Sequence, residues 1–385
     1  MSPPSVAVFT DTYLPTVNGV SYTVRTWRDR WRDRGGRMPV VYPGSDEYDP
    51  EDGEHPVGSL PFPMYEGFRL GAPRVPKAVR DVDVVHAHTP FAVGLGGVRL
   101  ARRDDVPLVT SYHTPTAEYA DYLTSRPRIE RGIERVARRY ERWFLSRSDA
   151  VVFPSEAARE RALADADVDA PAMVVSNGVD VDFFAPVGAD EVDAFRERHD
   201  LPSGPLVGYT GRHGYEKNVG EFLRAADGLD ATVVVGGDGP AREEWEALAT
   251  GLDVDAHFLG FLPREELPAF YAALDAFVFP SPVETEGLVA MEAMACGTPV
   301  VAVDAGALSN TVDDGLTGYH YDHGDVAGCR DAIQRVLDER ESLSASCLAR
   351  RDELSVEHAV DQLAALYERL VAEQRGEPEA RETRA

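Results

Sequence analysis

Short β-rich runs alternate with helix-length segments along almost the whole chain, and this alternation limits the fold more than any other feature. Such alternation is typical of βαβ units, which build parallel sheets. In the first half, the predicted strands are Val6–Thr10, Pro39–Val41, Val82–Val85, Leu108–Ser111, Ala150–Phe153 and Met173–Val175. After a linker-like segment at residues 186–203, the pattern restarts with Leu206–Tyr209, Thr232–Val235, His257–Leu259, Ala276–Phe279 and Pro299–Val303. The sequence therefore predicts an α/β protein with two doubly wound, Rossmann-like sheets in series.

The chain of 385 residues is too long for one ordinary core and suits two domains. We predict an N-terminal domain over residues 1–185 and a C-terminal domain over residues 186–355. A last helix at 356–374 is expected to pack back on the N-terminal domain, and a disordered tail is expected at 375–385. Since ligands of such sheets bind beyond the carboxyl ends of the strands, functional residues are expected in the loops after strands, around a cleft between the two domains.

The charge balance is strongly acidic, with 66 Asp and Glu against 39 Lys and Arg and a formal net charge of −27. Such a surface repels phosphate backbones, so nucleic acid is not an expected partner. Only two of the basic residues are lysines, Lys77 and Lys217. This composition favours a protein adapted to a salty cytoplasm, where counterions screen the self-repulsion. GC-biased codon usage and a merely acidic protein are the alternatives.

The cysteines and the apolar segments indicate the compartment. Cys296, Cys329 and Cys347 are odd in number and lie in no C-x-x-C spacing, as expected for free thiols in a reducing compartment. No signal-peptide pattern precedes the first strand, and no apolar stretch approaches the ~20 residues of a membrane span. We expect a cytoplasmic protein that lies at most on the inner face of the cell membrane.

The most informative segment is Ser281–Ala302, which reads S-P-V-E-T-E-G-L-V-A-M-E-A-M-A-C-G-T-P-V-V-A. A strand ends before it, and a helix is predicted to begin near Gly287, so the free amides of Gly287 and Leu288 suit a diphosphate. Glu292, within that helix, suits a vicinal diol such as that of a ribose. Glu284, in the preceding loop, suits sugar hydroxyls. The alternative is an acidic residue at a helix start and a buried helical glutamate.

A second segment follows the strand Leu206–Tyr209 and reads G-Y-T-G-R-H-G-Y-E-K-N at residues 208–218. Its glycines permit tight turns, while Arg212 and Lys217 extend cations toward one point. Together they suit a leaving diphosphate whose negative charge grows as a bond breaks. Solvated charges in an ordinary β-α loop are the alternative.

Two further glycines lie in loops after predicted strands. Gly19, in T-D-T-Y-L-P-T-V-N-G-V-S, would let the backbone approach a phosphate or sugar closely, although an ordinary turn explains it as well. Gly237 lies in G-G-D-G-P after the strand Thr232–Val235, a weak signal by itself.

Histidines follow two neighbouring strands of the first half. His113 comes directly after Leu108–Ser111 in T-S-Y-H-T-P-T-A-E-Y, where it can bond a sugar hydroxyl or a developing charge. His88, in H-A-H-T-P-F, is its rival, and a core or capping role is the alternative for both. We predict no metal site, since the D-x-D pattern Asp81–Asp83 lies at the start of a strand, away from the end where ligands bind.

The spacing E-x7-E followed by E-A-M-A-C-G-T-P-V-V-A resembles glycosyltransferase family 4, the retaining enzymes of the GT-B fold, over nearly the whole chain. This resemblance implies a diphosphate clamp at Arg212 and Lys217, a nucleotide-side loop at Gly237, and an N-terminal loop at Gly19 that closes over the donor. The context of His113 looks like members that act on lipid acceptors, such as diacylglycerol glucosyltransferases and phosphatidylinositol mannosyltransferases. Glu286 departs from the family pattern, in which many members carry Phe and some lipid enzymes carry Gln.

One helix is locally cationic. Arginines recur at helical spacing at Arg128, Arg131, Arg135, Arg138 and Arg142, beside an apolar stripe of Ile129, Ile133, Val136, Tyr140 and Trp143. Basic amphipathic helices bind anionic lipid surfaces. In the alternative interpretation, the apolar stripe packs on the sheet and the arginines pair with acidic residues.

We therefore predict a metal-independent, cofactor-free hexosyltransferase. It is expected to take a UDP- or GDP-linked sugar, to retain the anomeric configuration, and to act on an acceptor such as a membrane lipid or a lipid-linked glycan. A sugar-nucleotide 2-epimerase of the same fold and a non-catalytic nucleotide-sugar-binding protein are the alternatives. The sequence specifies neither the donor, the acceptor nor the oligomeric state.

Overall fold

The computed structural model describes residues 3–16, 18–62, 68–113, 127–166 and 170–376, with the side chains of 127–134 and 165–166 left out. The chain divides into two compact units, Met1–Asn177 with Ala359–Ala385, and Gly178–His358. The boundary between the two units thus lies after Asn177, before the predicted boundary at residue 185. Val179 explains this position, because its backbone exchanges hydrogen bonds with Leu354 and Val356, which holds the segment in the second unit.

The first unit is built on a seven-stranded parallel sheet with the order β3-β2-β1-β6-β7-β8-β9. The strands are β1 Val6–Phe9, β2 Val40–Pro43, β3 Glu54–Val57, β6 Val84–Ala87, β7 Leu108–Ser111, β8 Ala150–Phe153 and β9 Ala172–Val174. A separate antiparallel pair joins β4 Ser59–Pro61 to β5 Arg69–Gly71. The central strands are buried throughout, as expected for a parallel sheet covered on both faces.

The helices of the first unit are α1 Gly19–Asp33, α2 Ala92–Asp104, α3 Pro127–Leu145, α4 Glu156–Ala166 and, from Ala359 onward, the last helix α13 Val356–Arg375. Helix α1 begins at a capping box, in which Asn18 and Ser21 bond each other's backbone amides. Its apolar face buries Trp31, whose ring meets Tyr367 of α13 edge-on at 5.4 Å. The C-terminal helix thus belongs to the first unit from Ala359 onward.

The second unit holds a six-stranded parallel sheet with the order β12-β11-β10-β13-β14-β15. Its strands are β10 Leu206–Thr210, β11 Thr232–Gly236, β12 Ala256–Gly260, β13 Ala276–Phe279, β14 Val300–Val303 and β15 Gly318–Tyr321. Its helices are α5 Ala189–Arg198, α6 Val219–Ala226, α7 Arg242–Thr250, α8 Leu267–Ala273, α9 Leu288–Ala295, α10 Leu308–Thr311, α11 Val326–Ala349 and α12 Arg351–Leu354. Two Rossmann-like α/β units are therefore present, as predicted, and the three cysteines are buried free thiols.

Candidate active site

Three loops leave the same edge of the second sheet. Strand β10 lies between β11 and β13, and all three run parallel. Their carboxyl ends therefore meet, and so do the loops that follow them at residues 211–218, 237–240 and 280–287. This is the edge at which doubly wound sheets bind ligands.

Glycine lets the first two loops pack backbone against backbone. A Cβ atom at Gly237, whose φ is +105°, would collide with the carbonyl oxygen of Gly211. The amide of His213 donates to the carbonyl oxygen of Asp238 at 2.8 Å, and a Cβ atom at Gly239 would lie 2.7 Å from the carbonyl oxygen of His213. Gly237 is thus required by this close approach, and it holds the two loops in fixed positions.

Lys217 and Glu284 are brought together although 67 positions separate them in sequence. The Nζ atom of Lys217 lies 2.6 Å from Oε1 of Glu284, and the two side chains are only 20% and 15% exposed. Lys217 ends a short 3₁₀ turn at Tyr215–Lys217, and the next residue is left-handed. The carbonyl oxygen of Glu284 accepts from the amide of Ala307, which fixes the second loop. A cation and a carboxylate are therefore fixed at the same edge of the sheet.

Arg212 has a different partner. Its guanidinium forms an ion pair with Glu216, and its side chain is 58% exposed. The two cations predicted to extend toward one point thus hold different carboxylates in this structure. Arg212 is thus the more exposed of the two cations, and Lys217 is the one held by the loop after β13.

Helix α9 begins directly after this edge, as the sequence predicts. Gly287 caps it with φ +89°, and a Cβ atom there would lie 2.7 Å from Leu308. The first bonds of the helix run from the amides of Ala290 and Met291 to the carbonyl oxygen of Gly287. Within the described residues, the amides of Gly287 and Leu288 donate to no acceptor, so this helix start offers N–H groups to an anion.

Glu292 lies one turn further along α9 and accepts a hydrogen bond from the phenol of Tyr271, on α8, at 2.7 Å. Burial raises the pKa of Glu292 to about 7, against the lowering effects of the Tyr271 hydrogen bond and of the charge of Arg264. Tyr271 is a neighbour that the sequence patterns did not reveal. The carboxyl group of Glu292 therefore titrates near neutral pH.

At the first sheet, the two rival histidines contact each other. His88 follows β6 and His113 follows β7, and their Nδ1 and Nε2 atoms lie 2.9 Å apart. The rings are nearly parallel, with centroids 5.2 Å apart. Burial lowers the pKa of His113 to about 4 and that of His88 well below its usual value, so both are neutral at neutral pH.

Asp11, in the loop after β1, is a buried carboxylate that the sequence analysis did not single out. It accepts hydrogen bonds from the amides of Val93 and Gly94 at 2.8 and 3.2 Å and from the hydroxyl of Thr89 at 2.8 Å. It therefore holds the start of α2 next to His88. Burial raises its pKa. Its place directly after the first strand is the signal that could have identified it.

Gly19 is exposed as the first residue of α1, in the same unit as His113. The other predicted donor-binding residues belong to the second unit.

Asp83, of the rejected D-x-D pattern, accepts hydrogen bonds from the amide and the hydroxyl of Ser5, both at 2.9 Å. The remainder of the His113 motif, from residue 114, lies outside the described residues, as do the side chains of Arg128 and Arg131.

The described part of α3 presents an exposed cationic and apolar surface. Arg135, Arg138 and Arg142 are exposed, Val136 is 69% exposed and Trp143 is 40% exposed. The helix instead buries Glu141, Phe144 and Leu145. Val136 and Trp143 therefore do not pack on the sheet, as the alternative interpretation expects of the apolar stripe. Among the described residues, no helix combines the length and the apolar character that a membrane crossing requires.

Two family models match the chain. The model for glycosyltransferase family 4 matches residues 17–183, and the model for glycosyl transferases group 1 matches residues 191–347. Each model thus covers most of one unit.

Curated relatives agree with these models. A GDP-mannose-dependent alpha-mannosyltransferase of Mycobacterium tuberculosis is 33% identical over 94% of this chain and 96% of its own length. A sulfoquinovosyl transferase of Arabidopsis thaliana is 32% identical over 84% of this chain and 64% of its own, so the chain spans less than two thirds of that relative. An alpha-monoglucosyldiacylglycerol synthase of Streptococcus pneumoniae is 29% identical over 84% of this chain and 76% of its own.

Solved structures show the same fold. The Anabaena protein HepE in complex with UDP matches with a TM-score of 0.75 and 21% identity, over 95% of this chain and 100% of its own. Sucrose-phosphate synthase from Thermosynechococcus elongatus matches with a TM-score of 0.75 and 22% identity, over 96% and 100%. The names of two of these curated relatives are those of transferases, and the epimerase alternative is not supported. On these matches, the chain belongs to glycosyltransferase family 4 and is a retaining hexosyltransferase of the GT-B fold.

Proposed function

We propose that this enzyme transfers a hexose from a UDP- or GDP-linked donor by a front-face reaction. The bond from the anomeric carbon to the phosphate oxygen breaks, and a bond to the acceptor oxygen forms on the same face. The proton of the acceptor hydroxyl passes to the departing phosphate, so no protein nucleophile is required. The nucleoside diphosphate then leaves with that proton.

The side chains of the second unit receive the following roles. Lys217 and Arg212 hold the diphosphate together with the amides of Gly287 and Leu288, because each offers positive charge or an N–H donor. Glu292 accepts hydrogen bonds from the ribose hydroxyls. Glu284 orients the sugar, and Gly237 keeps the loop backbone close to the nucleotide.

Two residues of the first unit complete the assignment. His113 hydrogen-bonds a sugar hydroxyl as a neutral imidazole, since its pKa is lowered to about 4. Gly19 lets the backbone of its loop approach the donor. The reaction is metal-independent in this proposal, because protein cations and amides neutralise the leaving group, and we expect turnover to persist in EDTA.

The observation that carries the proposal is the contact of Lys217 with Glu284 at 2.6 Å, beside the free amides of α9. The ion pair with Glu284 holds the ammonium group of Lys217 in place before the donor binds. When the diphosphate enters, this ammonium group gains a second anionic partner that carries more negative charge than the carboxylate. Electrostatic preorganisation of this kind is usually the largest single contribution to catalysis.

A donor panel tests the assignment. UDP- and GDP-sugars are first scored by thermal shift at high salt, since a ligand that binds the folded state raises the melting temperature. The donors that bind are then incubated with and without acceptor lipids, and the anomeric configuration of the product is read by NMR. Sugar transfer with retention supports the proposal, whereas binding without turnover on any acceptor supports the non-catalytic alternative.

The proposed acceptor is a membrane lipid or a lipid-linked glycan. The name of the Streptococcus pneumoniae relative, an alpha-monoglucosyldiacylglycerol synthase, supports a lipid with a free hydroxyl. Diacylglycerol and its monoglycosylated form are therefore the first acceptors to test. Turnover of soluble sugars alone would contradict this part of the proposal.

We also propose that α3 contacts the inner face of an anionic membrane. The exposed Val136 and Trp143 supply apolar contacts, and the exposed Arg135, Arg138 and Arg142 supply charge. Co-sedimentation with anionic vesicles at low salt should fall when Val136 and Trp143 are replaced by Ser and the three arginines by Gln. Zwitterionic vesicles are the control, and equal binding of the variant to anionic vesicles would refute this contact.

The acidic surface leads to a proposal about salt. A net charge of −27 destabilises the compact state by self-repulsion at low ionic strength. We propose a cytoplasmic enzyme of a salt-rich cell, with a melting temperature that rises steadily from low to molar KCl. A melting temperature independent of KCl would contradict it.

A further inference from the structure

The histidine pair at the edge of the first sheet carries an inference beyond the roles assigned above. Nδ1 of His88 lies 2.9 Å from Nε2 of His113, so the inner nitrogen of His113 is already occupied. Within the described residues, Nδ1 of His113 has no partner. Nδ1 is therefore the nitrogen of this ring that we assign to a substrate hydroxyl.

The ring of His88 is held on several sides. It stacks on His86 with centroids 4.2 Å apart and tilts against Trp27 at 5.6 Å. His86 is itself fixed at both nitrogens, since it lies 2.6 Å from the hydroxyl of Tyr367 and 2.8 Å from that of Ser111. His88 therefore transmits a fixed position to His113.

We propose that His88 is a positioning residue, which occupies Nε2 of His113, fixes the orientation of that ring and so presents Nδ1 to the sugar. This inference rests on the proposed function, in which His113 orients the transferred sugar. It assigns to His88 a role that sequence position alone leaves open, because the two histidines appear there as rivals.

The proton balance between the rings supports positioning and opposes a role as base. Two neutral imidazoles share one proton across the 2.9 Å contact, so either nitrogen donates and the other accepts. Burial lowers the pKa of both rings, which makes an added proton unfavourable. The acceptor proton thus goes to the leaving phosphate, and the pair remains neutral and oriented.

Two substitutions of His88 separate hydrogen bonding from packing. His88→Asn keeps a polar atom close to the Nδ1 position but loses the ring that packs on Trp27 and His86. His88→Phe keeps a ring but loses the nitrogen. Positioning predicts that His88→Phe lowers kcat by about tenfold to a hundredfold, the cost of a misplaced group, and that His88→Asn recovers most of it. If His88 acts only through packing, His88→Phe should have the higher kcat of the two variants.

The same variants are compared in a His113→Asn background, which keeps an atom at Nδ1 and removes Nε2. There, the two His88 variants should have equal kcat. Tyr48→Phe is the matched control, because it removes a tyrosine hydroxyl of the same unit that donates to Glu54 and not to the histidine stack. This control substitution should change kcat by less than about twofold.

The outcomes distinguish the inference from the proposed function. If the unmodified enzyme transfers sugar and His88→Phe is as active as or more active than His88→Asn, the inference is wrong and the proposed function stands. If His88→Asn melts at a lower temperature than His88→Phe and is nevertheless the more active variant, positioning is supported. If the unmodified enzyme transfers no sugar from any donor, the proposed function itself fails.

Discussion

The candidate residues of the two units differ in charge. In the second unit, Lys217 and Glu284 form an ion pair at the edge of the sheet, beside helix-start amides that have no acceptor in the described part of the chain. In the first unit, the corresponding edge carries neutral histidines whose pKa values are lowered by burial. In the proposed assignment, the charged groups thus belong to the unit that holds the diphosphate, and the neutral hydrogen-bonding groups belong to the unit that holds hydroxyls.

The difference also concerns how each group is held in position. Backbone contacts between glycine-rich loops fix the charged edge, since Gly237 lies against Gly211 and Gly239 against His213. Stacked rings fix the neutral edge. A substitution at a loop glycine should therefore disturb diphosphate binding, whereas a substitution in the ring stack should disturb orientation.

The largest expected effect tests the charged edge. Lys217→Ala should lower kcat by about 10² to 10³-fold, the usual cost of losing one group that stabilises a leaving charge. The measurement is steady-state turnover with saturating donor. Lys77→Ala is the matched control, because Lys77 is the other lysine of the chain and is exposed in the first unit. Turnover of Lys217→Ala near that of Lys77→Ala would contradict the assignment.

A smaller effect is expected for Glu292, whose ionised carboxylate serves donor binding but lowers the stability of the folded protein. Glu292→Gln should weaken donor binding by about tenfold, because an amide accepts ribose hydrogen bonds less strongly than a carboxylate. The folded-state pKa of about 7 exceeds the ordinary 4.5, so the folded protein holds a proton that the unfolded chain releases between these values. The free energy of unfolding contributed by this group therefore falls as pH rises through that window.

The stability of the Glu292→Gln variant tests this sign. Its melting temperature should exceed that of the unmodified protein by several °C more near pH 8 than near pH 5, because the cost of ionising Glu292 in the folded protein grows across this window. Calorimetry at both pH values, at constant salt, gives the comparison. An equal difference at both pH values would show that the carboxyl group is not the cause.

The smallest expected effect is that of Tyr271→Phe, which removes the hydrogen bond to Glu292. Because that bond lowers the pKa of Glu292, its loss should raise the pKa further. At pH 7 donor affinity should fall by about threefold to tenfold, as for one hydrogen bond to a charged group. The loss should shrink at higher pH, as the carboxyl group ionises again. A loss independent of pH would mean that Tyr271 acts on the donor by another route.

The sequence predicts the second unit better than the first. The strand ends at Thr210 and Phe279 and the helix start at Gly287 follow from local patterns, and parallel pairing brings them to one edge. The partner of Glu292 does not follow, since Tyr271 belongs to a separate helix whose apolar pattern shows only that it packs. Likewise, β3 and β15 were not predicted, because Glu54–Val57 contains a glutamate and a proline and Gly318–Tyr321 begins with a glycine, residues that are depleted in strands.

The histidines show what a local pattern leaves out. His88 and His113 each follow a strand, and β6 pairs with β7, so their contact is implied once the strand order is known. Treated singly, they appeared as alternatives. The arrangement of α3 is similar, because an amphipathic stripe does not by itself show which of its residues face solvent, and Val136 and Trp143 do.

The central claim, that the second unit holds a diphosphate through Lys217, is tested most directly by titration calorimetry with a nucleoside diphosphate and its monophosphate. The base is chosen from the donor panel, and the salt concentration is held constant. The unmodified enzyme should bind the diphosphate at least about tenfold more tightly than the monophosphate, and Lys217→Ala should lose most of this preference. A preference for the diphosphate that survives Lys217→Ala undiminished would contradict the claim.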